Sequence, residues 1–99
     1  MEQLKVKLEN NRGEIQLFVA DRQAGKMEIS IYNGRLTVYH TEVDPEHEGK
    51  GYAKLLLNKL VEYARENHLK IAPLCPYVHS QFKRHPELYQ DIWYQQENK

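Results

Sequence analysis

The sequence is poor in cysteine: Cys75 is the only one in 99 residues, which excludes an internal disulfide framework and a multi-cysteine zinc site. It also lacks long hydrophobic runs. A stretch such as Leu17-Phe18-Val19-Ala20 falls far short of the ~18 apolar residues that cross a bilayer. Its start, Met1-Glu2-Gln3-Leu4-Lys5, has no apolar run behind a basic residue, so it does not read as a signal peptide. Neither sign of charge is in excess. Fourteen Lys and Arg balance fourteen Asp and Glu, whereas a protein that binds nucleic acid through phosphates shows a basic surplus or stripe. Five histidines fall in no metal-ligand spacing. These absences predict one cytoplasmic domain over residues 1–99, with no membrane, nucleic acid or metal partner. They leave its oligomeric state unspecified.

What is present is a change of period. Leu4, Val6 and Leu8 alternate, as do Ile15, Leu17 and Val19, then Met27, Ile29 and Ile31, each run bounded by polar or glycine-containing segments. Asn10-Asn11-Arg12-Gly13 and Asp21-Arg22-Gln23-Ala24-Gly25 read as turns, and Asn33-Gly34 is a strong hairpin signal because both residues tolerate positive φ. A fourth strand runs from Arg35 to about Val43, with Leu36, Val38, His40 and Glu42 expected on one face. Pro45 ends it.

After the loop Glu46-His47-Glu48-Gly49-Lys50-Gly51, the apolar positions Ala53, Leu56, Leu57, Leu60, Val61 and Ala64 take helical spacing up to about Asn67. A buried strand follows over Leu69–Leu74, then a short helix over Val78–Arg84, with Pro86 opening another. The fold class is therefore α+β. A four-stranded antiparallel meander continues through a right-handed βαβ crossover into a mixed sheet with helices packed on it.

Three segments carry chemistry. Glycines at 49 and 51 before a long helix let backbone amides approach a phosphate, although such a loop is as readily a plain strand-to-helix turn. The segment Pro73-Leu74-Cys75-Pro76-Tyr77-Val78 ends a parallel strand, where ligands lie in open α/β sheets, while a lone cysteine is more often a small buried hydrophobe. His40 and Glu42, two residues apart on one strand, are either a proton-transfer pair or ordinary solvated side chains.

Together, His40-Thr41-Glu42-Val43, Glu48-Gly49-Lys50-Gly51-Tyr52-Ala53, Pro73-Leu74-Cys75-Pro76-Tyr77-Val78 and His85-Pro86-Glu87-Leu88-Tyr89 resemble the small single-domain branch of the GNAT superfamily of acetyl-CoA-dependent N-acetyltransferases. The resemblance covers about His40 to Asp91. It implies that Gly49, Lys50, Gly51, Tyr52 and Ala53 hold the coenzyme A pyrophosphate, and that the pantetheine arm pairs with backbone near Glu42 and Val43. The thioester then falls near Cys75 and Tyr77. Glu48 stands where the superfamily carries Arg or Gln, which sets a carboxylate against the phosphates. The implied function is acetyl transfer to an amine acceptor such as a protein or peptide amine. His40 or Glu42 would be the base, and Cys75 or Tyr77 the proton donor; alternatively Cys75 would be the nucleophile. The competing reading is a non-catalytic acyl-CoA-binding module.

Overall fold

A computed structural model describes residues 1–95; the last four of the expected domain lie outside the described residues. The elements are β1 (Glu2–Glu9), β2 (Arg12–Val19), β3 (Arg22–Tyr32), β4 (Arg35–Val43), a 3-10 turn (Pro45–His47), α1 (Tyr52–Glu66), β5 (Lys70–Pro73), α2 (Pro76–Arg84) and α3 (Pro86–Tyr89). The strands form one sheet in chain order. β1 to β4 pair antiparallel and β5 joins β4 in parallel, so the expected α+β meander and crossover are both present.

Local chemistry accounts for most of these boundaries. Asn10-Asn11 and Asn33-Gly34 take positive φ at both turn positions, the backbone that tight hairpins need. The second hairpin departs from expectation. It turns at Ala20 and Asp21 (φ 51° and 68°), and β3 starts at Arg22. Gly25, expected in a turn, is buried within the strand, where the register with β2 slips and Ala24 is the extra residue. A Cβ on Gly25 would sit 2.8 Å from the Glu42 carbonyl oxygen, so glycine is required there by the closeness of β4 rather than by turn geometry.

One apolar cluster holds the layers together. Ile15, Leu17, Met27, Ile29, Leu36, Val38 and Ile71 project from one sheet face onto Leu56, Leu57 and Leu60 of α1 and onto Val78 and Phe82 of α2. The other face is polar and uncovered among the described residues, because β1 and β2 are joined by a two-residue turn. Cross-strand register places Lys5, Lys7, Glu14, Gln16, Lys26 and Glu28 there. Among the described residues, no helix is long and apolar enough to cross a membrane.

The carboxyl end of the described chain is tied down. The backbone of Ile92 accepts from the Ile71 N–H, and the Tyr94 N–H donates to the Ile71 carbonyl, so this segment flanks β5. Arg65 of α1 grips the Asp91 carboxylate with two hydrogen bonds of 2.9 and 3.0 Å and reaches the Leu88 carbonyl at 2.8 Å.

Candidate active site at the end of the β4–β5 pairing

β4 and β5 pair only from Arg35–Lys70 to Val38–Pro73. The last link is the Cys75 N–H donating to the Val38 carbonyl at 2.9 Å. Beyond it β5 ends and the chain enters α2 at Pro76, so, among the described residues, residues 40–43 of β4 pair on one side only, with β3. Their other backbone edge is open to an extended ligand, as in strand addition.

A bulge sets what faces this opening. Between Glu28–His40 and Ile29–Val38 the β3–β4 register slips, and Tyr39 is the extra residue on β4. A bulge inverts the alternation that follows it. Leu36 and Val38 are buried, but after Tyr39 the core face passes to Thr41, opposite Met27, and Val43, opposite Gly25. His40 and Glu42 lie on the polar face, opposite Glu28 and Lys26. The expected grouping of Leu36 and Val38 with His40 and Glu42 on a single face is therefore corrected, because one inserted residue changes the parity of every later one.

His40 Nε2 and Glu42 Oε1 are 3.1 Å apart, and both side chains are more than half exposed. When the carboxylate accepts the Nε2 hydrogen, the ring's Nδ1 keeps its lone pair free for a proton. On the same face, Arg35, Thr37, Tyr39, Pro73, Leu74 and Tyr94 line a cleft of about 480 Å³ at the β4–β5 pair.

Cys75 and Tyr77 stand on the core side. Cys75 caps the nine-residue α2 and is 2 % exposed. Its Sγ lies 3.2 Å from the Thr41 hydroxyl, a contact the sequence reading missed. The sequence did hold a signal for it. Val38 and Val43 are out of phase as inward-facing β positions, which only an inserted residue reconciles. The half-buried Tyr77 phenol has its pKa raised, chiefly by burial and secondarily by neighbouring Tyr89 and Cys75, so it stays protonated as a donor.

The glycine loop lies before α1. Gly49 and Gly51 have φ of 83° and 77°, and added Cβ atoms would meet open space, so positive φ is what selects glycine. Gly51 caps α1 without a side-chain hydrogen bond, leaving the first-turn amides for an anion. Lys50 and Glu48 are exposed. Tyr52 turns inward, donating its hydroxyl to Glu2 at 3.2 Å, so only its backbone belongs to the loop; burial is the main cause that raises its pKa. Ala53 is half-buried. Among the described residues, no group of three His, Cys, Asp or Glu side chains comes together as a metal site would require.

A mixed sheet in which β4 runs on past the end of β5 after a βαβ crossover, with a glycine loop before its long helix, defines an acetyltransferase-type fold. The family model of the GCN5-related N-acetyl-transferases matches residues 14–92, and the chain belongs to this family. A GCN5-like protein from Staphylococcus aureus is 29 % identical with a TM-score of 0.65, the match covering 96 % of this chain and 92 % of that one. The ribosomal-protein-S18-alanine N-acetyltransferase of Escherichia coli shares the fold at a TM-score of 0.66 and 14 % identity. That match covers 82 % of this chain but only 54 % of the enzyme, about half its length. A streptothricin-acetyltransferase-like protein of Bacillus anthracis, solved with acetyl coenzyme A, has a TM-score of 0.59 at 15 % identity, covering 77 % of this chain and 46 % of that one. No curated protein matches the chain.

Proposed function

We propose that this protein is an acetyl-CoA-dependent N-acetyltransferase whose acceptor is a protein or peptide amine. The observation that carries the reading is the one-sided backbone edge of β4, residues 40–43, followed in the chain by a glycine-flanked helix start that has no side-chain cap. These features fit the two parts of coenzyme A. The amides of Gly51 to Ala53, with Gly49 and Lys50, receive the pyrophosphate, and the Glu42–Val43 backbone pairs with the pantetheine amides. Acetyl-CoA brings an activated acetyl group as thioester.

In the direct route an amine enters from the open polar face. His40, oriented by Glu42, accepts its proton as the nitrogen attacks the thioester carbonyl. The C–N bond forms, the C–S bond breaks, and Tyr77 or Cys75 returns a proton to the departing thiolate. Proton transfer by placed groups contributes about 10²–10⁴-fold. The uncovered face and its cleft support a bulky acceptor over a small enclosed one.

A second route is favoured by the Thr41–Cys75 contact at the start of α2. Cys75 itself takes the acetyl group and hands it to the amine, which asks for a stabilised thiolate. A cytoplasmic location belongs to the same proposal, and cell fractionation tests it.

Incubation with acetyl-CoA, then with peptides bearing free amines, followed by intact mass spectrometry of protein and peptides, tests the function. Peptide acetylation that requires the protein supports it. An acetylated protein that loses the group with Cys75→Ala selects the second route. Coenzyme A binding without transfer to any amine replaces the enzyme by an acyl-CoA-binding module.

A further inference from the structure

We propose that Thr41 is the positioning residue for the Cys75 thiol, holding its sulfur in place and donating a hydrogen bond to the thiolate. This rests on reading Cys75 as the group that carries the acetyl.

Without the extra residue at Tyr39, position 41 would face solvent; with it, Thr41 lies on the core face opposite Met27, within 3.2 Å of Sγ. The Cys75 backbone is fixed from two sides. Its N–H donates to the Val38 carbonyl at 2.9 Å, and its carbonyl accepts from the His79 N–H at 3.0 Å. What remains free is the side-chain rotation, and the Thr41 hydroxyl is the side-chain partner that Sγ has among the described residues.

Neither His40 nor His79 serves this purpose. His40 is on the opposite face, bonded to Glu42. The exposed His79 ring stands edge-on to Trp93. A thiolate at this buried position is left with the α2 amides and the Thr41 hydroxyl. Pro76 at the first helical position supplies no N–H. The hydroxyl suits both states of the sulfur, accepting from S–H and rotating to donate to S⁻.

Sγ bonds to the acetyl carbon, the bond from that carbon to the coenzyme sulfur breaks, and the S–H proton ends on that sulfur, so the coenzyme leaves as the free thiol. The amine nitrogen then bonds to the acetyl carbon, the carbon–Sγ bond breaks, and one amine proton ends on Sγ, which restores the Cys75 thiol. Thr41 donates to Sγ while it carries negative charge in each step.

Thr41→Val keeps shape and removes the hydroxyl; Thr41→Ser keeps the hydroxyl. Acetylation of Cys75 by acetyl-CoA is timed by intact mass, and acetyl-CoA affinity is measured by calorimetry. Thr41→Val is expected to slow acetylation about tenfold at saturating acetyl-CoA, a loss in the chemical step and not in binding. Thr41→Ser restores the rate. Should Thr41→Val fail to fold, Thr41→Ala is read in its place. Unchanged acetylation in the folded hydroxyl-free variant overturns the proposal. The two readings fail separately: Cys75→Ala with full turnover removes the carrier role, and Thr41's part in transfer with it, whereas an inactive Cys75→Ala beside an unaffected Thr41→Val removes Thr41 alone.

Discussion

Adding one methyl group at Gly25 tests how closely β3 and β4 must approach to shape the site. In Gly25→Ala the new Cβ would meet the Glu42 carbonyl oxygen at 2.8 Å, the Val43 Cγ2 at 3.4 Å and the Leu56 Cδ1 at 3.5 Å. The last two are tight to ordinary contacts. The first is several tenths of an ångström too short, and its partner is backbone on the strand proposed to pair with pantetheine. Relief requires β4 to move or the bulge at Ala24 to open. Overpacking of this kind costs about 1–3 kcal/mol. In a domain of this size each kcal/mol lowers the melting temperature by about 4–8 °C. Circular dichroism melting should therefore fall by at least about 4 °C, and calorimetric affinity for acetyl-CoA should weaken because the Glu42–Val43 edge is displaced. Gly34→Ala is the control. It has positive φ and open space, so it strains a turn far from Glu42 and leaves affinity unchanged. A Gly25→Ala protein with the parent's melting temperature and affinity would refute this account of the glycine.

Glu48→Arg should tighten coenzyme A binding by roughly tenfold at low salt, corresponding to ~1.4 kcal/mol, and the gain should shrink as salt rises because the site is exposed. Titrations at two ionic strengths check it, and equal low-salt affinities defeat it. Asp91→Asn tests the clamp on the carboxyl-terminal segment. The hydrogen bond from Arg65 lowers the Asp91 pKa, so its stabilisation is present above the unfolded carboxyl's ordinary pKa and lost as pH falls through the lower folded value. The pair is about half exposed and so worth at most about 1 kcal/mol. The variant should melt a few degrees lower at neutral pH and level with the parent in strong acid, and a gap that persists in acid would assign the effect to packing.

The sheet order was legible because each strand carries its own evidence. Asn33-Gly34 closes one hairpin by backbone chemistry, alternation marks the runs on either side, and the change to helical spacing after Pro45 forces the crossover. The glycine loop was legible for the same reason, since positive φ selects glycine at 49 and 51. What escaped were the two bulges, at Ala24 and Tyr39, because an inserted residue changes no composition and shows only as a phase conflict. Gly25 therefore read as a turn when it marks a close strand approach, and Ala20 did not read as a turn because alanine has no turn chemistry. The same slip hid Thr41. A single-residue parity error moved His40 and Glu42 to the wrong partners while leaving them correctly paired with each other, since residues two apart stay together on either face.

The central claim is that the loop from Gly49 to Ala53 receives the pyrophosphate of acetyl-CoA, and calorimetric titration of the parent, Gly51→Asn and Gly51→Asp proteins with acetyl-CoA tests it most directly. Asn and Asp both tolerate the left-handed backbone that Gly51 adopts at φ 77°, so all three proteins should fold. The side chains have nearly the same shape, and only Asp adds a charge. The account predicts binding by the parent, weaker binding by Gly51→Asn, and a further loss of at least about tenfold in Gly51→Asp, equivalent to ~1.4 kcal/mol. Equal affinities across three folded proteins would contradict it.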